Sequence, residues 1–470
     1  MEEKSINAEW HKFLSCEERV PPLEFILRLI EEKKFAEFQK LVSNIAAVDI
    51  AEFFDRMPKA YYVPAYRLLP KEVAAEAFVE MGSELKEHLI NSFTDTELSA
   101  TLEELYIDDT VDIIEEMPAA VVKRILRNSK GDDREVINKL LKYPKDTAGT
   151  IMTTEYVRFT KEMTVESALG HIRKVAIDKE TIYTCYVTDK QRRLIGIVSA
   201  KELLISPLSR RLEEIMEESV ISVGTMDDKE EVANKFDKYG FLALPVVDNE
   251  GRLVGIVTVD DAISVIRDEA EEDFAKMAAI TPSETSYLKT SAFSIWKSRI
   301  PWLLLLMISA TFSSAILARF ESLLPAVLLL FVPMLMDTGG NGGAQASVTV
   351  IRAISVGEAR LSDFVRILFK ELRVGLACGI TLGAVAFVKV MLVDRLLMKN
   401  SEVTLSVAFS VAFAVLLTII VAKIIGSMLP IFAKKIGLDP AVMASPFITT
   451  LVDAISLLLY FFISVQFLAV

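Results

Sequence analysis

Histidine and cysteine are nearly missing from this chain, with three of each in 470 residues. Cys16, Cys185 and Cys378 are scattered, with no spacing that would ligate zinc or build a disulfide framework. His11, His88 and His171 are equally isolated, which argues against a Cys/His metal centre. The chain also lacks a P-loop and a nucleophile with a positioned base, so an enzyme is not expected. Its start, Met1-Glu-Glu-Lys-Ser-Ile6, has no apolar signal core, which predicts a cytosolic N-terminal half. Positive charge is scarce there as well. Residues 1–290 carry 38 basic against 56 acidic side chains, which argues against nucleic acid as a partner and suits divalent cations.

Apolar sequence is plentiful: 52% of residues are hydrophobic and the mean hydropathy is +0.37. The excess lies after Ser291, where 14 basic side chains face 9 acidic ones. Five runs there are long enough to cross a bilayer: Trp296–Phe320, Leu323–Ile354, Val365–Val393, Val403–Pro430 and Val442–Leu468. With a cytosolic N-terminus the inside loops collect the larger share of basic residues, Lys297, Arg299, Arg352, Arg360, Lys423 and Lys434 among them. That bias predicts a C-terminus outside.

The acidic half divides further. Residues 1–140 show apolar residues at helical spacing and little alternation, which predicts an all-helical domain. Ala51–Pro58 and Val111–Pro118 echo each other around a Met-Pro stop, and Val73–Met81 is a weaker copy, a pattern of stacked short helices. Residues 144–207 and 208–269 are a duplication in which Asp189, Arg193 and Gly196 recur as Asp248, Arg252 and Gly255. Each copy reads helix, strand, turn, strand, helix. From Ile263 to about Thr290 a connector helix is expected, residues 270–290 forming its part beyond the second copy. Glu269, Glu272 and Asp273 share one of its faces. In the helical domain Asp108 and Asp112 share a face too, and solvated surface is the simplest account of it.

The stretch Pro333-Met-Leu-Met-Asp-Thr-Gly-Gly-Asn-Gly-Gly-Ala-Gln-Ala-Ser347 stands apart. It puts a carboxylate, Asp337, four glycines and the amides of Asn341 and Gln345 inside an apolar run. An ionisable group at membrane depth is costly and marks a functional site by default. Counted along unbroken helices, Asp337 lies roughly 21 Å and Asp453 roughly 22 Å from the outer ends of their spans, so the two can meet. Thr449 and Thr450 precede Asp453 by one turn. Few carboxylates among many neutral oxygens suit Mg²⁺. A small-residue packing seam, a proton relay and helix–helix hydrogen bonding remain alternative uses of these residues.

Two resemblances follow from these residues. The duplication resembles a tandem pair of cystathionine-β-synthase-type (CBS) domains, which implies either an adenosine nucleotide such as ATP held by Thr258 and Asp261 or a pair that only dimerises; the first copy has Ser199 but Glu202 in place of the Asp. The order of helical acidic domain, CBS pair, connector and five spans resembles the MgtE family of magnesium channels, as do Met336–Gln345 and Asp439–Asp453. That resemblance implies a multidomain membrane protein with an all-α cytosolic superhelical domain, α/β CBS pair, connector (plug) helix and five-helix transmembrane domain. It implies a homodimer with one Mg²⁺ pore at its axis, with Asp453 the central carboxylate and Gly340 and Asn341 the contacts from span two. Some members carry a second Asn where this chain has Ala344. It further implies regulatory Mg²⁺ bound by Asp108, Asp112, Asp261, Glu269, Glu272, Asp273 and Asp439, with Ser264 standing where the family has a carboxylate. A membrane-anchored nucleotide or metal sensor, and a proton- or sodium-coupled carrier, are the rival functions.

Overall fold

The computed structural model describes residues 22–282, 287, 290–321, 325–443 and 445–468. His11, Cys16 and the N-terminal reading lie outside the described residues, as do Leu323 and part of the connector. The chain forms two compact units, Met1–Ile266 and Arg267–Val470.

The first unit opens with short helices α1 (Leu23–Glu31), α2 (Phe35–Val42), α3 (Ala47–Arg56), α4 (Tyr62–Leu68), α5 (Lys71–Glu80), α6 (Ser83–Ser92), α7 (Asp95–Leu102), α8 (Ile107–Glu116), α9 (Ala119–Asn128) and α10 (Gly131–Leu140). From α2 onward each helix packs on the next but one, so the array is a stacked solenoid. The repeated stops are physical. Met57, Met81 and Met117 each leave the helix in an extended conformation and are buried, and Pro58, Gly82 and Pro118 follow them. Phe54, Phe78 and Ile114 fill the core between them.

The α/β part comprises β1 (Tyr156–Thr160), α11 (Val165–Val175), β2 (Thr181–Thr188), β3 (Leu194–Ser199), α12 (Ala200–Ile205), β4 (Val223–Gly224), α13 (Lys229–Tyr239), β5 (Ala243–Val247) and β6 (Leu253–Thr258). Each copy is a three-stranded sheet, β1-β2-β3 and β4-β5-β6, with a parallel pair and a hairpin. The leading strands β1 and β4 are absent from the sequence reading. The hairpin turns are set alike: Asp189 accepts from the Gln191 and Arg193 N–H groups, and Asp248 from those of Glu250 and Arg252. Gly196 and Gly255 let the copies interlock. A Cβ on Gly255 would stand 2.8 Å from the Thr153 carbonyl, and one on Gly196 3.2 Å from that of Glu217.

Helix α14 (Val259–Met277) leaves the second copy, and the boundary between units falls within it. It stops at Met277 rather than continuing to Thr290. Ala279 turns into the left-handed region (φ 54°), and the Ile280 N–H returns to the Ala275 carbonyl, which closes the helix.

The second unit continues with α15 (Ala292–Glu321), α16 (Ala326–Leu329), α17 (Val332–Ser355), α18 (Phe364–Lys389, widening into a π-turn segment over Val390–Leu397), α19 (Leu405–Lys435) and α20 (Ser445–Leu468). Among the described residues four stretches are long and apolar enough to cross a membrane: Ala292–Phe320, Leu361–Leu397, Leu405–Lys435 and Pro440–Phe467. The expected second span is not one helix. The chain breaks at Leu330 and Phe331, and α17 restarts with Pro333 in its first turn, where a missing N–H costs nothing. Asp337 therefore lies five residues into the restarted helix, roughly 7.5 Å along it, and the roughly 21 Å counted along an unbroken helix from Leu323 does not apply. Tyr460 pins the short α16 by donating to the Leu328 carbonyl at 2.8 Å. Lys423 is not in a loop. It lies within α19, with 6% of its surface exposed.

Candidate metal and ion-path sites

Helix α17 packs against α19 and α20, and its glycines make this possible. A Cβ on Gly339 would stand 2.7 Å from Ser456 Oγ, and one on Gly343 2.9 Å from Ile448 Cγ2. These positions are a packing seam, and the helix through them is continuous. Gly340 differs. Its Cβ would meet Thr449 Cγ2 at 3.2 Å and Asp453 Oδ1 at 3.4 Å. Gly340, Thr449 and Asp453 thus stand together, and Asp337 lies close enough for its charge to act on Asp453. Asn341 Nδ2 donates to Asp337 Oδ1 at 3.0 Å, which leaves the Asn341 amide oxygen as an acceptor. Thr449 donates its hydroxyl proton to the Pro446 carbonyl at 2.9 Å, so its oxygen also keeps acceptor capacity. Asp337, Asn341 and Gln345 form one exposed stripe on α17, one turn apart. Carboxylates, an amide oxygen and a hydroxyl on one polar track offer hard oxygen ligands and no nitrogen or sulfur.

A second cluster lies in the first unit. Asp108, Glu155 and Glu180 each offer a carboxylate oxygen, and these oxygens lie within 4.8 Å of one another. Asp108 Oδ1, Glu155 Oε2 and Glu180 Oε2 are buried without a hydrogen-bond partner. Three orphaned carboxylate oxygens at this spacing fit a hard divalent cation. Sequence reasoning missed Glu155 and Glu180. Each immediately precedes a strand, and the parallel register Tyr156↔Thr181 brings them side by side. The only available signal was strand β1 itself.

Burial, then the charges of neighbouring carboxylates, raises this group far above the usual carboxylate range. Burial with Asp109 takes Asp108 up to about 7. Burial with Asp108 takes Glu155 up to about 7, and burial with Asp108 and Asp260 takes Glu180 up to about 8. One turn along α8, burial with Asp261 and Asp108 takes Asp112 up to about 8. Asp261 rises to about 7, mainly through burial, against a 2.6 Å hydrogen bond from Thr258 Oγ1. The predicted set Asp108, Asp112 and Asp261 thus occupies one neighbourhood, with Asp108 turned to Glu155 and Glu180, and Asp112 coupled to Asp261. Thr258 and Asp261 also fit the start of α14 as a capping pair, as Ser199 does for α12 by accepting from the Glu202 N–H at 3.1 Å.

In the second unit Glu272, Asp273 and Asp439 converge around Lys276, which the sequence reading passed over. The Lys276 ammonium pairs with Asp439 at 2.6 Å and with Glu272. Burial works against its charge, but hydrogen bonds to Asp439 and Glu272 outweigh it and hold Lys276 above the usual lysine range. Ser355 donates to Asp273 Oδ2 at 3.0 Å. Burial raises Asp273, and the Asp439 charge adds to the rise. Glu269 lies half-buried two turns before Lys276 on α14, and Ser264 is exposed.

Comparison with known proteins bears on most of the chain. Residues 332–463 match the family model of divalent cation transporters (MgtE), residues 45–146 the MgtE intracellular N domain, and residues 148–208 and 212–268 the CBS domain. The magnesium transporter MgtE of Thermus thermophilus is 34% identical over 436 residues, covering 92% of this chain and 95% of that one. That of Bacillus subtilis is 32% identical over 450 residues, covering 95% and 98%. Among solved structures, the cytosolic domain of the Mg²⁺ channel MgtE in complex with ATP aligns with a TM-score of 0.50 and 35% identity, over 52% of this chain and all of that one. The soluble part of a magnesium transporter aligns with a TM-score of 0.50 and 31% identity, over 53% and 98%.

Proposed function

The chain belongs to the MgtE family of magnesium transporters, and on that premise we propose that it is a Mg²⁺-selective channel of the cell membrane, closed by cytosolic Mg²⁺. The observation that carries the reading is the approach of Gly340 to Thr449 and Asp453. Mg²⁺ gives up its water reluctantly and prefers octahedral oxygen coordination, so a track of two carboxylates and neutral oxygens can hold it with part of its hydration shell. Asp453 supplies the field that favours a divalent over a monovalent cation. The exposed stripe of Asp337, Asn341 and Gln345 would face a second copy across the axis of a homodimer, the N-terminus lying in the cytosol and the C-terminus outside.

Regulation follows from the two acidic junctions. Asp108, Asp112, Asp261, Glu155 and Glu180 in one, and Glu269, Glu272, Asp273 and Asp439 in the other, repel unless protonated, paired or bridged. A bound divalent cation supplies the countercharge. It shifts the equilibrium only through its preference for the compact arrangement, so closure should track cytosolic Mg²⁺. ATP at Thr258 and Asp261 shares a carboxylate with the first junction and would therefore be coupled to it.

Mg²⁺ uptake by proteoliposomes containing the purified wild type, against Asp453→Ala, tests the reading. Uptake by the wild type alone supports it. No uptake by either points to a sensor. Uptake that depends on a proton or sodium gradient points to a carrier.

A further inference from the structure

A cleft of about 820 Å³ in the second unit is lined by Asn341, Ala344, Gln345, Glu371 and Lys423, among others. Glu371, on α18, and Lys423, on α19, keep 9% and 6% of their surface exposed and lie within membrane-crossing stretches. A buried ammonium inside such a stretch is costly and calls for a role. Lys423 Nζ donates to Gln345 Oε1 at 3.3 Å, a neutral amide that does not balance its charge. Among the described residues no ion pair joins it to Glu371, although both line the same cleft. Its stem is held from behind, since a Cβ on Gly375, one turn beyond Glu371, would stand 3.4 Å from Lys423 Cβ. Lys423 is thus a fixed cation behind the Asp337–Asn341–Gln345 stripe. It stands roughly 18 Å from the inner end of α19, while Gln345 stands roughly 15 Å from that of α17.

We propose that Lys423 is a specificity- and rate-setting positioning residue of the ion path, held against Gln345 and counterbalanced by Glu371, that keeps the level inward of Asp453 from trapping a divalent cation. The proposal rests on the reading of Gly340, Thr449 and Asp453 as that path. Conduction needs a site strong enough to admit an ion and a next step weak enough to release it. Lys423 does two things at that step. It occupies one of the two lone pairs of the Gln345 amide oxygen, which weakens that oxygen as a ligand for the passing ion, and its charge opposes that of the ion. Without it, Gln345 Oε1 is free and Glu371 stands uncompensated in the same cleft, so a second strong site forms. Loss of Glu371 alone leaves the ammonium unbalanced and weakens occupancy.

The two changes therefore act in opposite directions on saturation, which a merely structural role would not produce. Mg²⁺ flux into proteoliposomes is measured against external Mg²⁺ for the full-length wild type, Lys423→Met, Glu371→Gln and Asp453→Ala. Lys423→Met should lower the half-saturating concentration by about tenfold and lower the maximal flux, and Glu371→Gln should raise the half-saturating concentration several-fold. If Asp453→Ala is silent while Lys423→Met keeps both parameters within about twofold of wild type, this proposal falls and the ion-path reading stands. If Asp453→Ala conducts like the wild type, the path reading fails and takes the proposal with it. Should Lys423→Met not assemble, Glu371→Gln decides: a rise supports the proposal, and an unchanged or lower value overturns it.

Discussion

The ammonium of Lys276, near the end of α14, lies 2.6 Å from Oδ2 of Asp439 in the segment that leads into α20. It also pairs with Glu272, one turn earlier on its own helix. A side-chain cation thus already occupies the point where Glu272, Asp273 and Asp439 converge. Under the gating reading it competes with Mg²⁺ for the same oxygens. Lys276→Met removes the competitor and leaves the carboxylates uncompensated, so metal should close the channel at a concentration lower by about tenfold, the equivalent of about 1.4 kcal/mol. Asp439→Asn should act oppositely and leave open probability nearly independent of cytosolic Mg²⁺. Inside-out patches read both. Equal Mg²⁺ sensitivity in the wild type and Lys276→Met would show that the pair is only structural.

The sequence displayed what repeats and hid what depends on pairing. The Met-Pro and Met-Gly stops of the solenoid were legible because a buried methionine followed by Pro or Gly ends a helix in the same way each time. The duplication was legible because Gly196 and Gly255 meet the same steric demand, backbone of the other copy at their Cβ positions. Asp337, Thr449 and Asp453 stood out as polar residues in apolar surroundings and Gly340 as one of four glycines among them, and the structure brings Gly340, Thr449 and Asp453 together. Glu155 and Glu180 did not stand out. Each is one acidic residue in an acidic half, and only the β1–β2 register makes them neighbours. Lys276 and Lys423 were hidden likewise, because a lysine declares its role only through its partners, Asp439 for one and Gln345 for the other. The break before α17 was masked by unbroken hydrophobicity, although Pro333 marked where the helix restarts.

Asp453 carries the strongest expectation for transport. Asp453→Ala removes the carboxylate that Gly340 and Thr449 approach, and Mg²⁺ flux should fall at least about tenfold while the protein still assembles. Asp453→Asn keeps the size and loses the charge. The site then no longer favours a divalent cation, and Na⁺ should permeate. Reversal potentials under bi-ionic conditions measure this, and an unchanged Mg²⁺ preference in Asp453→Asn would exclude Asp453 as the selectivity ligand.

Nucleotide binding is expected once per chain, through Thr258 and Asp261. The first copy offers Ser199 and has Glu202 in place of the Asp. Calorimetric titration of the full-length protein with ATP should give one site, and Asp261→Ala should weaken it by about tenfold, as loss of a charged hydrogen bond would. Because Asp261 also couples to Asp112, the same substitution should weaken Mg²⁺ protection of the first unit. Wild-type ATP affinity in Asp261→Ala would assign Thr258 and Asp261 to helix capping alone.

The acidic junction of the first unit should make its compactness depend on pH in a metal-sensitive way. Burial, with the charges of neighbouring carboxylates, raises Asp108, Glu155 and Asp261 to about 7, and Asp112 and Glu180 to about 8. A carboxylate whose value is raised on folding binds more protons in the folded state. Its stabilising effect is complete below the ordinary range near 4 and is lost as pH rises through 7 to 8. Without divalent cations, the first unit of the full-length protein in detergent should therefore resist protease at about pH 6 and yield at about pH 8. Mg²⁺ should reverse this at the higher pH, because the deprotonated Asp108, Glu155 and Glu180 oxygens are then free to bind it. Replacing Glu155 and Glu180 together by glutamine removes two of the three clustered carboxylates. That variant should lose part of the pH dependence, Asp112 and Asp261 keeping theirs, and most of the protection by Mg²⁺, while remaining folded at both pH values. Equal protection of the wild type at both pH values, with and without Mg²⁺, would mean that the three carboxylates neither titrate together nor hold a metal.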